Sequence, residues 1–539
     1  MQPVRAGDEL GFDVLVIGAG VAGLVAALTV AEHSPHLRIA VLDKGVIGSA
    51  GSTPLAQGGM AAAVDPADSA SLHAADTLRA GDGLADPRAV AVMAAEAPDR
   101  VLELERWGAV FDRDATGYSL AREGGQTVSR SVRAADATGA EIFRALRGQA
   151  SGRVSRLQGV AVDLATATAH EGGVGGAWAL LDAVDATPLG PEQEGGLTLI
   201  RAGAVLLATG GCGGLYAGTT NRDGATADGV ALAWRAGADL VDMEFVQFHP
   251  TGLKPREAEE GFWRLLLTEA LRGAGATLLD ADGHRFMPDR HVDAELAPRH
   301  VVAKAILDQP RGAWLDGRHL GAHTWEHEFP TVLAGARRYG FDPLTELLPV
   351  EPCEHYMIGG IATDLWGATS VPGLWAAGEA ANTGVHGANR MAGNSLSQSC
   401  VFGRRAALAM IRHLDSRATT LRDQLSPAPP LGPHGDANAL QDTRTRLRRV
   451  LTHGIGPVRS AQGISAALKE LEDLAAAQAQ PISAQREAIE LRNGVLVGSL
   501  IGRAAMLRQE SRGVHWREDF PAHDEAWSGA RLHWRQPAG

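Results

Sequence analysis

The chain has 539 residues, 45% hydrophobic and 21% charged, which is ordinary for soluble globular proteins, excludes disordered and fibrous classes, and predicts about two to four domains. Its net charge of -13 excludes nucleic acid and anionic membrane as main partners, because both require a basic face. Cys212, Cys353 and Cys400 have no CxxC spacing and cannot build a disulfide framework; with neither a secretory leader nor a run of about 18 apolar residues, the expected setting is the cytoplasm.

From Phe12 the chain reads "FDVLVIGAGVAGLVAALTVAEH": an apolar strand, the turn Gly18-Ala19-Gly20-Val21-Ala22-Gly23, then an Ala/Leu-rich helix. Gly18 permits the tight turn, Gly20 the close approach of a pyrophosphate and Gly23 the packing of helix on strand, while the helix N-terminus offers N–H donors. The next strand, "LRIAVLDKG", ends in Asp43, twenty residues after Gly23, where a carboxylate accepts from ribose hydroxyls. A GxGxxG turn alone is weak evidence; with strand, helix and acid in place it predicts a dinucleotide site. Two later segments say which dinucleotide. "AGAVLLATGG", ending at Gly211, and "VPGLWAAGEA", with Gly378 and Glu379, each run a buried strand into glycines. They resemble the second and third flavin-contacting segments of two-dinucleotide-fold flavoproteins, so FAD is expected over NAD.

Dense motifs run along the rest of the chain: "GSTPLAQGGMAAA", "HAADTLRAGDGLADP", "REGGQTVSRSVRAADATG", "NRDGATADGVALAWRAGADLVDMEFVQFHPTGL", "LLTEALRGAGATLLDADGHRFMP", "LAPRHVVAKAI", "EHYMIGGI", "HGANRMAGNSL" and "ESRGVHWREDFP". Together they resemble the flavoprotein family of succinate dehydrogenase, fumarate reductase and L-aspartate oxidase over nearly the whole chain. "REGGQT" and "RAADATG" are most similar to its L-aspartate oxidase branch. The resemblance implies an α/β fold, with a Rossmann-like FAD-binding domain in two sequence pieces, 1–240 and 355–420, and an inserted α+β capping domain, 241–354. The Pro-rich "SPAPPLGPHGD" makes 421–436 a linker, and helical spacing over 437–539 predicts a C-terminal helical bundle.

The chemistry implied by the resemblance is FAD-dependent oxidation of L-aspartate to iminoaspartate, with flavin reoxidised by oxygen or fumarate. It would open NAD biosynthesis, with quinolinate synthase as the next enzyme and a candidate partner. The alternatives are a soluble fumarate reductase or succinate dehydrogenase flavoprotein and, outside enzymes, a flavin-binding scaffold that kept the fold. By the family pattern His249, Thr268, His355 and Arg390 hold the dicarboxylate, a task suited to arginine's planar fork. Glu123 meets the α-ammonium of aspartate, and Arg299, Glu269 and Arg272 relay the released proton. Without the family motifs, Glu269 and Arg272 at i and i+3 read as an ordinary helix-surface pair, and Glu123 as a turn residue paired with Arg122 or Arg130.

FAD contacts are expected from Gly18, Ala19, Gly20, Gly23, Asp43, Lys44, Ser52, Thr53, Ala56, Gln57, Gly58, Gly59, Asp228, Glu379, Asn394, Ser395 and Leu396, with "NSLSQS" opening a helix toward the flavin. Ser52 stands where relatives that bond FAD covalently carry histidine, so noncovalent FAD is expected, and no metal. Three residues depart from the family pattern: His300, where aspartate usually follows the arginine; Gln126, in place of a histidine after "REGG"; and Asp43, for the usual glutamate.

Overall fold

The structure, a computed structural model, describes residues 9–45, 51–115, 117–167, 173–185, 187–188, 196–256, 263–416, 424–478 and 481–536. The first residues of the expected linker, 421–423, therefore lie outside it.

Strand Glu9–Ile17 sends Val14 and Val16 to one face and Leu15 and Ile17 to the other, each into its own apolar cluster, as a strand buried on both sides must. It lies inside a seven-stranded sheet. Ile39–Asp43 and Leu197–Leu207 flank it in parallel, and Leu374–Ala376, from late in the chain, pairs in parallel with Leu197–Leu207. Ser155–Thr166 joins Ile39–Asp43 in parallel and returns as the antiparallel Val174–Val184. The parallel register brings the carboxyl ends of four strands to one edge, where open α/β sheets bind ligands. There Gly18 has φ 106°, and a Cβ on it would collide with the Ala208 carbonyl. Helix Val21–His33 follows, buried from Val21 to Val30, and packs on Asn394–Ser416. Leu24 and Leu28, both 0% exposed, each contribute about 1.5 to 3 kcal/mol by burial.

A second, four-stranded antiparallel sheet runs in the order Val246–Leu253, Leu348–Met357, Ala313–Asp316, Thr277–Leu279. It has its own apolar cluster, from Leu253 to Val350, with Trp325 and Phe329 inside. Strand Leu348–Met357 runs through the expected boundary at 354, because Tyr356 and Met357 still pair with Gln247 and Val246; His355 thus belongs to this sheet.

Helices Ala437–Gly454, Ala461–Ala477 and Arg486–Leu507 pack on one another, but they have no core of their own. Leu447, Leu471, Val497 and Ile501 share one apolar cluster with Leu15, Val205 and Leu232 of the sheet side. The expected C-terminal helices are present and packed together, and their apolar side is completed by the first sheet. The Pro-rich segment before them is also held: Ser426 N–H donates to the Thr166 carbonyl at 2.7 Å, and Leu431–Gly432 pairs with Ile482–Ser483. Proline removes donors without preventing a segment from lying along an edge. No helix among the described residues is long and apolar enough to cross a membrane.

Candidate active site

At the carboxyl edge of the first sheet, facing the second, lies a cleft. Its floor is the Gly18–Ala22 turn. Gly20 caps the Val21–His33 helix without a side-chain acceptor, so first-turn N–H groups can meet phosphate oxygens. Gly23 has the close-packing role: a Cβ there would collide with the Gly18 carbonyl oxygen. Asp43, Lys44, Ser52, Thr53, Ala56 to Gly59, Glu379, Ser395 and Leu396 continue the lining. Gln57 Oε1, buried, has no partner within the protein, which suits a long polar ligand lying past it. An elongated cleft built from a dinucleotide turn, an acid at the end of the second strand and two later glycine segments fits FAD.

Two expected contacts look elsewhere. Asp228 opens helix Asp228–Arg235 but does not line the cleft; its carboxylate accepts from Lys44 Nζ at 2.6 Å and Asn493 Nδ2 at 2.7 Å. Lys44 lies at the cleft yet is also held by Glu490 at 2.9 Å. The Asn394 amide turns away from the cleft, its oxygen accepting from His73 Nε2 at 2.8 Å and its Nδ2 donating to Thr77 Oγ1 at 2.9 Å. Both residues act on the lining from behind.

The polar end of the cleft gathers Glu123, His249, Thr268, Arg299, His355 and Arg390. Arg390 is 4% exposed, with its guanidinium 4.5 Å above the Tyr356 ring and its Nε without a partner. Burial and the nearby Arg299 charge lower its pKa to about 10, which still leaves a cation at neutral pH. His249 and His355 stand with ring centroids 5.1 Å apart. Burial, then Arg299, holds both well below the usual imidazole range, so both are neutral. The Thr251 N–H donates to His249 Nδ1 at 3.2 Å, which puts the His249 proton on Nε2 as a donor. Thr268 caps helix Glu269–Gly273.

Behind these, Arg299 Nε donates to Glu269 Oε2 at 2.7 Å, and Arg272 Nη2 lies 3.8 Å from the same oxygen. All three are buried, so the surface-pair reading of Glu269 and Arg272 is overturned. Burial would raise the Glu269 pKa, but the two arginines outweigh it and lower it; burial lowers that of Arg272. Arg272 Nη1 also donates to the Glu295 carbonyl. Gly124 makes room for this pair, since a Cβ there would strike Glu269 Oε1.

Glu123 is 2% exposed. Its Oε1 accepts from the Gly59 N–H at 3.0 Å and its Oε2 has no partner. The alternative pairing fails, because Arg130 is taken by Asp68 and Asp76 and Arg122 donates to the Gln126 carbonyl. Burial, then the Glu269 charge, raises the Glu123 pKa to about 7. Gln126 accepts from the Glu123 N–H at 3.1 Å and donates to Ser131 Oγ at 2.9 Å, closing the loop. Half-buried His300 meets Asn389, next to Arg390, and burial lowers its pKa; a neutral link stands where the family pattern has a charge.

Sequence reasoning missed Gln247, Tyr356, Thr220 and Asn221. Gln247 joins the two arginines, accepting from Arg299 Nη1 at 3.0 Å and donating to the Arg390 carbonyl at 2.9 Å. The Thr220 hydroxyl holds His355 Nδ1 at 2.7 Å. Gln247, Thr220 and Asn221 follow no spacing rule; "EHYMIGGI" was the available signal for Tyr356.

A family described as FAD binding domain matches residues 13–396, and one described as fumarate reductase flavoprotein C-term matches residues 444–539. The chain is 43% identical to an L-aspartate oxidase of Streptomyces coelicolor, over 96% of this chain and 90% of that one. With an L-aspartate oxidase of Caulobacter vibrioides it shares 42%, over 95% and 94%. Among solved structures, a mutant of quinol fumarate reductase FrdA from E. coli superposes with a TM-score of 0.85 at 29% identity, over 98% of this chain and 95% of that one.

Proposed function

Because the chain belongs to the L-aspartate oxidase family of FAD-dependent flavoproteins, we infer that it oxidises L-aspartate to iminoaspartate as an entry step to NAD biosynthesis. The observation that carries the choice of substrate is Glu123: a buried carboxylate with one unpartnered oxygen, set among groups that otherwise suit any four-carbon dicarboxylate. We read the first sheet as the FAD-binding unit, in two sequence pieces, and the second as a cap inserted between them.

Bound FAD supplies the hydride acceptor. The residues of the chain do the rest. Arg390, the Nε2–H of His249, His355 and Thr268 bind the two carboxylates in a closed site, where such bonds are stronger than in water. Arg299 faces the substrate: as its Nε proton moves to the Glu269 carboxylate, which Arg272 also flanks, the guanidine takes up the proton released at Cα, with Gln247 holding its other nitrogen. The ionised form of Glu123 pairs with the α-ammonium. When a substrate without nitrogen binds, that charge stays buried and alone, which is costly.

Two results test the Glu123 role. Glu123→Gln loses about one to two orders of magnitude in kcat/KM with L-aspartate while fumarate reduction by prereduced enzyme stays within about threefold. In the unaltered enzyme, Glu123 is ionised above pH about 7 and neutral below it. The apparent KM for L-aspartate therefore rises as pH falls through that region, and the KM for fumarate does not rise with it. Equal losses for both substrates would remove Glu123 from this role.

Ser52 lines the cleft where the covalent relatives of the family pattern place histidine, so we propose that FAD is held noncovalently. Acid precipitation leaves the yellow colour in the supernatant; colour in the pellet would overturn this. The groups at the polar end also suit fumarate, so fumarate is proposed beside oxygen as the acceptor, with the enzyme working in the cytoplasm beside quinolinate synthase.

A further inference from the structure

Helix Ala70–Ala80, from the motif "HAADTLRAGDG", puts no residue in the cleft, yet it holds segments on two sides of it. On one side, Asp76 Oδ2 accepts from the Thr127 N–H at 2.8 Å, the Thr127 hydroxyl at 2.9 Å and Arg130 Nη1 at 2.7 Å. Its Oδ1 accepts from Arg79 Nη2 at 2.5 Å, and Arg79 also donates to the Gly125 carbonyl at 3.1 Å. Gly125 and Thr127 lie just after Glu123. On the other side the helix brackets Arg390. Its last carbonyl groups, Ala80 and Gly81, accept from Asn389 Nδ2 at 3.0 Å and the Ala388 N–H at 2.9 Å. His73 and Thr77 hold the Asn394 amide. His73, Asp76 and Thr77 are at most 2% exposed, so each bond is costly to leave unmade.

We propose that this helix is a positioning element that sets the span between Glu123 and Arg390, and thereby the preference for an amino-dicarboxylate over a plain one. The inference rests on those two residues being the ammonium and carboxylate partners. Its two arms are separable: Asp76 and Arg79 serve the Glu123 loop, whereas Thr77 and His73 serve the Arg390 loop.

The separation gives each arm its own signature. Asp76→Asn keeps the shape of the side chain, and Arg130 keeps Asp68 at 3.0 and 3.1 Å. It is expected to lower kcat/KM for L-aspartate about tenfold, with the dissociation constant of fumarate, read from the flavin absorbance, within about twofold. Thr77→Val is expected to raise the KM for L-aspartate and the dissociation constant of fumarate together, roughly three- to tenfold. Arg79→Ala, at a side chain 58% exposed, repeats the Asp76 pattern at smaller size and replaces it if Asp76→Asn does not fold. Glu123→Gln is measured alongside. If it discriminates between the ligands and the Asp76 or Arg79 variant does too, the positioning role stands. If it discriminates and they change both ligands equally, or neither, the helix inference falls while the Glu123 reading survives. If Glu123→Gln itself does not discriminate, both fall.

Discussion

Replacing Arg299 by leucine is expected to stop L-aspartate from reducing the flavin while the protein keeps FAD and still binds dicarboxylate. Oxidation at Cα releases a proton together with the hydride, and in this cleft the proton's way out begins at the Arg299 guanidinium, 2.7 Å from Glu269. Leucine breaks that chain at its first member, leaving Glu269 with Arg272 alone at 3.8 Å. General acid–base catalysis contributes about 10²- to 10⁴-fold, so the anaerobic rate of flavin reduction should drop roughly a thousandfold. The fold should survive, because Arg299 sits at the first turn of a helix whose anchoring residues are Val302, Ala305 and Ile306. Fumarate binding, followed through the flavin absorbance, checks that the site is intact. Near-normal reduction would take Arg299 out of the proton path.

Arg390→Leu should give the opposite pattern. Arg390 is buried, stacked on Tyr356 and turned toward the substrate end of the cleft. Removing one partner of a buried, hydrogen-bonded charge pair costs about 2 to 5 kcal/mol. The KM for L-aspartate and the dissociation constant of fumarate should rise together, by at least roughly thirtyfold, while flavin reduction at saturating substrate falls much less. A large loss of that saturated rate with little change in affinity would exchange the proposed roles of the two arginines.

What could be read in the sequence was what backbone geometry or charge makes unusual. The Gly18 to Gly23 turn was legible because its shape excludes side chains, and Asp43 because its distance from the turn is set by one helix and one strand. Arg390 was legible only through the resemblance, since it stands in the motif "HGANRMAGNSL". Asp228 and Asn394 were placed in the right neighbourhood but with the wrong orientation, since motif position does not say which way a side chain turns; Lys44 and the buried His73 draw them away. Gln247 was invisible: a glutamine in an apolar strand becomes a bridge between two arginines only once the strand pairs with Leu348–Met357. The C-terminal helices were legible as helices, but their apolar stripe does not reveal whether it faces another helix or a sheet from far earlier in the chain.

That shared core bears on how such a protein can change over generations. Leu215, just after the second glycine segment, packs where Gly494 leaves room: a Cβ at 494 would come within 2.6 Å of it. Glu490 and Asn493, on the same helix, grip Lys44 and Asp228 beneath the cleft. A crossover joining the tail of one ancestor to the head of another would have to match both the apolar surfaces and these polar partners at once. The tail therefore cannot be inherited as a free module; the two stretches are bound to drift together, each substitution on one side narrowing what the other tolerates.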